Sequence, residues 1–313
     1  MKYLVTGGAG FIGSNLTRYL LSQGAQVVVL DDLSTGKREN LTEILSEIDF
    51  REGDIRDRES VESALEGCDG VFHLAALASV QKSVENPGLS HDINVGGALT
   101  VLESMKKQGV KRFVLSASAA AYGNQIESPK RESLPPEPLS PYAADKLACE
   151  AYAQAYVHSF GLESVCLRYF NVFGPRQDPK GAYAAVIPAF VCRLLKGESP
   201  IVYGDGEQTR DFCYIENVCR ANWLASQIPA NQCLGKPINV ACGEAVSLNR
   251  ILTVLQKLLK SDVQAIYQPE RVGDVKHSLA DITRAKEILG YEPQVRFEEG
   301  LALAIDWYCE QYR

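Results

Sequence analysis

The stretch VTGGAGFIGS, residues 5 to 14, leaves this chain few folds to choose from. It sets Gly7, Gly10 and Gly13 between an apolar run, KYLVT, and a segment of helical periodicity from Phe11 to Ser22. A phosphate has to come close to backbone amides at the start of a helix. A side chain at any of these glycines would block that approach or the helix packing. Alone, a glycine triplet is a weak signal. Here the next apolar run, AQVVVLD, ends in Asp31, 18 residues past Gly13. A carboxylate there can accept from both ribose hydroxyls and repels a 2′-phosphate, so the pattern favours NAD over NADP, with Lys37 and Arg38 close enough to temper the preference. A tight turn beside a solvated aspartate is the plain alternative. Phe11 and Ile12 in the loop, Asp54 and Ile55 in EGDIRD, and the small Ala75 and Ala76 in HLAALAS complete the candidate cofactor wall.

Strand-like and helix-like segments then alternate. AQVVVLD, IDFREGD, GVFHLA, KRFVLS and ESVCLRYF are apolar runs; Ser60 to Leu65, Asp92 to Lys107 and Tyr142 to Phe160 have helical periodicity. Strands buried on both faces read as unbroken apolar runs, and helices between them force parallel crossovers. The expectation is an α/β fold with a doubly wound parallel (Rossmann) sheet over residues 1–170, completed by about 211–240. A smaller C-terminal substrate domain, mainly 171–313, follows, with the strands DFCYI and PINVA and helices near 184–195, 216–226, 247–259, 281–289 and 297–311. At 313 residues the chain has length enough for both.

A net charge of −7 speaks against nucleic acid or an anionic membrane as partner. No run approaches the roughly 20 apolar residues of a membrane span, and the first residues lack a leader pattern. Nine cysteines show no CxxC and no Cys/His spacing, so we expect no metal, and reduced thiols in a cytoplasmic protein. A redox role for Cys213 and Cys219 is the alternative.

SPYAADKLACE places Tyr142 and Lys146 four apart at the start of a helix, hence on one face. A phenol with a pKa of about 10 is a poor base at neutral pH, but an adjacent ammonium and a cationic nicotinamide both favour phenolate. Tyr142 then serves as a general base or acid. SASAAAYG, residues 116 to 123, closes a strand with Ser118 and carries no carboxylate.

Taken together, the glycine loop, Asp31, SASAAAYG, Tyr142 with Lys146, and RYFNVFGPRQDP resemble the extended short-chain dehydrogenase/reductases that act on nucleotide sugars. The likeness runs end to end and is greatest to UDP-sugar 4-epimerases. GAYAAVIPAF, GDGEQTRDFCYIENV and GDVKHSLADI resemble the branch acting on UDP-N-acetylglucosamine and UDP-N-acetylgalactosamine. The resemblance implies that C4 hydride passes to bound NAD and returns to the other face of a 4-keto sugar. Ser118 would bond the sugar 4-oxygen and relay its proton to Tyr142, Lys146 would hold the nicotinamide ribose, and Asn94 would support the helix beside the cofactor. Asn171, Val186, Tyr203, Arg210, Arg271 and Asp274 match family contacts to the UDP-sugar; arginine forks suit a pyrophosphate.

Ser278 stands where epimerases restricted to unacetylated sugars carry an aromatic, so the resemblance implies room for a 2-acetamido group, with UDP-glucose and UDP-galactose also turned over. Ala117 departs from that branch, which often has three consecutive serines. Rival outcomes are a UDP-glucuronate 4-epimerase or decarboxylase, another nucleotide-sugar dehydratase, or an NAD-bound sensing or scaffold protein. Dehydratases carry an Asp-Glu pair where this chain has Ala119 and Ala120. The helices from Asp92 and Tyr142 match those that pair in the family's homodimers. His73 is expected beneath the cofactor and His277 near the sugar, each more simply structural.

Overall fold

The computed structural model describes residues 1–178, 186–270 and 276–312. The strands of the first half are β1 (Lys2–Thr6), β2 (Gln26–Asp31), β3 (Asp49–Glu52), β4 (Gly70–His73), β5 (Arg112–Ser118) and β6 (Glu163–Tyr169). Those of the second half are β7 (Asn171–Phe173), β8 (Ile201–Tyr203), β9 (Thr209–Tyr214), β10 (Leu234–Val240), β11 (Ala245–Ser247), β12 (Ile266–Gln268) and β13 (His277–Ser278). The helices are α1 (Phe11–Ser22), α2 (Arg58–Ala64), α3 (Val80–Glu85), α4 (Pro87–His91), α5 (Gly97–Gln108) and α6 (Pro141–Phe160). After them come α7 (Val186–Leu195), α8 (Ile215–Gln227), α9 (Leu248–Leu259), α10 (Thr283–Leu289) and α11 (Phe297–Tyr312).

Seven strands form one sheet in the order β10-β6-β5-β4-β1-β2-β3, every pair parallel. This is the expected doubly wound sheet. Successive side chains on a strand face opposite ways, and the apolar runs divide accordingly. Tyr3, Val5, Val27 and Val29 join the core that includes Leu16 and Leu20 of α1 and Val218 of α8. Leu4, Val28 and Leu30 join the other, with Val61 of α2, Val101 of α5 and Cys149 of α6. The chain turns from one flank of the sheet to the other at β1, between β2 and β4. A crevice opens there at the carboxyl ends of the strands, the usual ligand position of such sheets.

The smaller lobe is arranged around β9, which pairs with β11, β13 and β7. The buried Asp211 carboxylate of β9 accepts from the backbone N–H groups of Cys242 (2.9 Å), Gly243 (3.0 Å) and Ala280 (3.2 Å), tying the lobe to the segment that leaves the large sheet. Burial pushes this carboxyl up to about 6 against those bonds.

The single helix expected from Asp92 to Lys107 is instead α4, a π-helical turn over Asp92–Gly96, and α5. Asn86 caps α4 by accepting from Leu89 N (3.0 Å), and Pro87 takes the first helical position, so the run begins earlier than the periodicity suggests. A wide π turn admits an extra residue that an apolar repeat does not reveal. The helix expected at 281–289 starts at Thr283, because the Asp281 side chain accepts from Thr283 N (2.8 Å).

None of the nine cysteines forms a disulfide among the described residues, and seven are buried. Burial pushes the thiols of Cys68 and Cys149 up to about 11, as expected of inert structural thiols. Among the described residues no group of three His, Cys, Asp or Glu side chains suits a metal ion, and no helix is long and apolar enough to cross a membrane.

Candidate active site

α1 begins after Gly10, which supplies no side-chain cap, so its first amides are left to a ligand or water. Gly7 has φ +70, and a Cβ there would stand 2.7 Å from Ala75 N. At Gly13 an added Cβ would stand 2.1 Å from Gly7 O. Both positions therefore have to be bare. Asp31, only 6% exposed, accepts from Ala9 N and Leu33 N at 2.9 Å each, and each oxygen keeps a lone pair for a ribose hydroxyl. Burial raises its pKa above the usual carboxylate value, and the two N–H bonds oppose the rise.

The Thr6 hydroxyl accepts from Leu74 N (3.2 Å) and Ala75 N (3.3 Å), which leaves its own hydrogen for His73 Nδ1 at 2.9 Å. The His73 proton then resides on Nε2. Burial, aided by the charge of Lys146, pushes His73 down to about 3. An unfolded His73 binds a proton near pH 6.5 and the folded one does not, so its contribution to stability is full above that pH and is lost on acidification. We expect unfolding free energy to fall by about 1.4 kcal/mol per pH unit from this group between pH 6.5 and 5. Urea unfolding of wild type and His73→Phe at both pH values checks this; equal slopes would remove His73 from the acid response.

β5 carries the chain to Ser118, whose Oγ accepts from Ala120 N (3.2 Å) and caps a short 3-10 turn over Ala119–Tyr122. Its O–H hydrogen is not used by that cap. The turn is anchored by Tyr122, whose hydroxyl donates to Asn239 Oδ1 (2.6 Å). The guanidinium of Arg168 lies 4.8 Å from the Tyr122 ring centre and pairs with buried Glu150 at 2.7 Å. Opposite, Ser140 caps α6 by accepting from Ala143 N (3.2 Å), and Pro141 opens it. This local sequence places Tyr142 in the first turn, where its N–H donates to Ser83 Oγ (3.1 Å). One turn on, the buried Lys146 Nζ donates to Ser116 O (2.8 Å), fixing the ammonium to the strand that ends in Ser118.

Ser118, Tyr142 and Lys146 line one cavity of about 950 Å³. Gly7, Gly10, Phe11, Ile12, Gly13, Asp31, Asp54, Ile55, Ala75 and Ala76 line the same cavity. Asn94 stands behind it, accepting from Leu77 N (2.8 Å) through Oδ1. Asp54 reaches the wall already paired with Arg56 at 2.5 Å. The described substrate candidates Asn171, Val186, Tyr203, Arg210 and Ser278 lie off that wall. Asn171 donates to Asp211 O (3.4 Å), Val186 opens α7, and half-buried Tyr203 ends β8. Arg210 donates to Thr209 O (2.8 Å) and is the register partner of Ser278 across β9 and β13. His277 is exposed against Thr209 (3.0 Å). Arg271 and Asp274 fall outside the described residues.

Lys82, Arg176, Asp178 and Trp307 are among the side chains of the wall that sequence reasoning missed. Arg176 (φ 69) donates to Asn15 Oδ1, and burial beside Arg18 pushes it down to about 10. Asp178 pairs with Lys37 at 2.8 Å, and both line the cavity. The motif RYFNVFGPRQDP contains Arg176 and Asp178, whereas nothing local links Trp307 to a loop so far back in the chain. Bare glycines, uncapped amides, a ribose-ready carboxylate and a nearby guanidinium together fit a dinucleotide with its pyrophosphate.

The chain is 37% identical over 312 residues to the UDP-glucose 4-epimerase of Mycolicibacterium smegmatis, covering 98% of each protein. It superposes with a TM-score of 0.93 on the UDP-glucose 4-epimerase of Thermotoga maritima, solved with UDP-glucose, at 40% identity and 100% coverage of both chains. The same TM-score, at 41% identity, relates it to the UDP-N-acetylglucosamine 4-epimerase of Methanobrevibacter ruminantium in complex with UDP-N-acetylmuramic acid, covering 99% of this chain and 98% of that one. The profile of one family matches residues 3–241, from the glycine loop to the last strand of the large sheet, and the chain belongs to that family, the NAD dependent epimerases and dehydratases.

Proposed function

We propose that this protein inverts C4 of a UDP-hexose, interconverting UDP-N-acetylglucosamine with UDP-N-acetylgalactosamine and UDP-glucose with UDP-galactose. The observation that carries the reading is the convergence of Ser118, Tyr142 and Lys146 on the cavity that also holds the glycine loop and Asp31. The glycine loop and Asp31 would hold NAD, which would supply the acceptor and donor for the C4 hydride. The phenol oxygen of Tyr142 accepts the C4 hydroxyl proton and later returns it, directly or through Ser118, whose O–H hydrogen is left uncommitted by its cap. Lys146, whose Nζ donates to Ser116 O, stands one helical turn from Tyr142 beside that exchange. Ala119 and Ala120 offer no carboxylate to expel a leaving group, so oxidation and reduction are not diverted into elimination.

Arg210 and Arg271 are assigned to the pyrophosphate, and Asn171, Val186, Tyr203 and Asp274 to the remainder of the UDP-sugar. Ser278, beside Arg210, leaves room for a 2-acetamido group. A second reading, an acidic sugar such as UDP-glucuronate, is favoured by Lys82, an exposed ammonium on the cavity wall with no ion-pair partner among the described residues. We further propose a homodimer through α5 and α6, where Tyr152 and Phe160 are 40% and 51% exposed; light scattering at the monomer mass would overturn it.

Proton NMR of the protein with UDP-N-acetylglucosamine, UDP-glucose and UDP-glucuronate in parallel tests the reading. We expect C4-inverted product from the first two. Inversion of the uronate alone would transfer the assignment to the second reading, and no inversion of any, with NAD added, would end both.

A further inference from the structure

We propose that Asp145 is a positioning residue for the cofactor wall, acting through Asn94 on the segment Leu74–Ala78. The inference rests on NAD as the cofactor and on nothing about the sugar. Asp145 lies between Tyr142 and Lys146 on α6 and is 5% exposed. Its Oδ2 accepts from Ser90 Oγ (2.5 Å) and from Asn94 Nδ2 (3.2 Å). Asn94 Nδ2 also lies 3.3 Å from Ser90 Oγ, and His91 Nδ1 is 3.6 Å from Asp145 Oδ1. On its far side Asn94 Oδ1 accepts from Leu77 N at 2.8 Å. Leu77, with Ala75 and Ala76, lines the cavity.

A carboxamide has two chemically different ends of nearly the same shape, and only its oxygen can accept the Leu77 N–H. An ionised carboxylate accepts and never donates, so it selects the orientation: the amino end of Asn94 must face Asp145 and the oxygen must face Leu77. A residue at 145 able both to donate and to accept would not make that selection. If the amide flipped, two donors would oppose each other at Leu77 and a partly buried backbone N–H would lose its partner. The wide turn over Asp92–Gly96 carries Asn94 between the two elements, with Cys149 Sγ donating to Asn94 O (3.3 Å). The Asp145 carboxylate on α6 thereby sets which end of Asn94 meets the Leu77 N–H on the wall of the cofactor cavity.

The test uses the full chain with its NAD. Four variants are compared with wild type: Asp145→Leu, Asp145→Asn, Asn94→Asp and the exchange Asn94→Asp/Asp145→Asn. For each, the readouts are the NAD retained per chain after dialysis, kcat and KM for the UDP-sugar with saturating NAD, and the thermal midpoint. We expect Asp145→Leu to retain NAD at least tenfold more weakly, with kcat recovered in excess NAD and the UDP-sugar KM within about twofold of wild type. Asn94→Asp, which sets two buried carboxylates together, should be worse. In the exchange, the carboxylate moved to position 94 accepts from Leu77 N and from the carboxamide moved to position 145, and NAD retention should recover at least tenfold over Asn94→Asp. Wild-type NAD retention in Asp145→Leu would overturn the proposal. So would an exchange no better than Asn94→Asp, a comparison that decides even where Asp145→Leu fails to fold. Because NAD content is read without substrate, a wild type that epimerises nothing would leave this result standing and remove only the assigned reaction.

Discussion

Tyr142→Phe is expected to give a folded, NAD-loaded protein whose epimerase turnover is lower by roughly 10²- to 10⁴-fold, the range in which positioned proton transfer contributes to a rate. The substitution removes one oxygen and little else. The backbone N–H of residue 142 still donates to Ser83, Pro141 and Ser140 still start the helix, and Lys146 still rests on Ser116 O. The loss should therefore fall on kcat, with KM for the UDP-sugar changed by no more than a few-fold, because ground-state binding is spread over other residues. Steady-state kinetics with the NAD content of each preparation measured alongside would show it. Turnover within about threefold of wild type would take Tyr142 out of the proton transfer and leave Ser118 to account for it.

Gly13→Val is expected to abolish NAD retention and to lower the thermal midpoint by several degrees. The first added atom would lie 2.1 Å from Gly7 O and 2.7 Å from Gly8 Cα. Both obstacles are backbone, so no flexible side chain can swing aside. Either the loop opens or α1 slides away from it, and overpacking of this kind costs about 1–3 kcal/mol or more before the ligand is considered. The displaced amides are those that would face the pyrophosphate, so cofactor affinity should suffer more than stability. Calorimetric titration of NAD and thermal unfolding, run on one preparation, separate the two. A variant that binds NAD like wild type would mean that the loop tolerates a Cβ and that its glycines serve only the turn.

Much of this architecture was legible in the sequence because its strands are buried on both sides. KYLVT, VVVLD and GVFHLA admit no polar face, and only a covered parallel sheet accommodates that. Tyr142 and Lys146 were legible because helical spacing puts them on one face whatever the tertiary context. The π turn at Asp92–Gly96 was not, since one extra residue in a helical run leaves no trace in composition. Nor was the partnership of Asp145 with Ser90 and Asn94, whose side chains come from elements 51 to 55 residues apart. Trp307 on the cavity wall depends on where α11 docks, which no local pattern encodes. Arg210 and Ser278 illustrate the middle case: motif context singles both out, and the register of β9 with β13 makes them neighbours.

The edge strand β10 has a consequence for anyone who would recombine this protein with its relatives. It enters the large sheet beside β6 after the chain has already built part of the smaller lobe, with Ile238 opposite Leu167 and Val240 opposite Tyr169. The two lobes are thus interleaved rather than strung in series. A chimera spliced once near residue 170 would take its outermost sheet strand from one parent and that strand's docking edge from the other. One that exchanges the substrate-side segments on either side of α8 and β10, and keeps those two elements with the parent sheet, respects the weave. In such a chimera the segments proposed to contact the substrate would be exchanged in pieces, and not as a block.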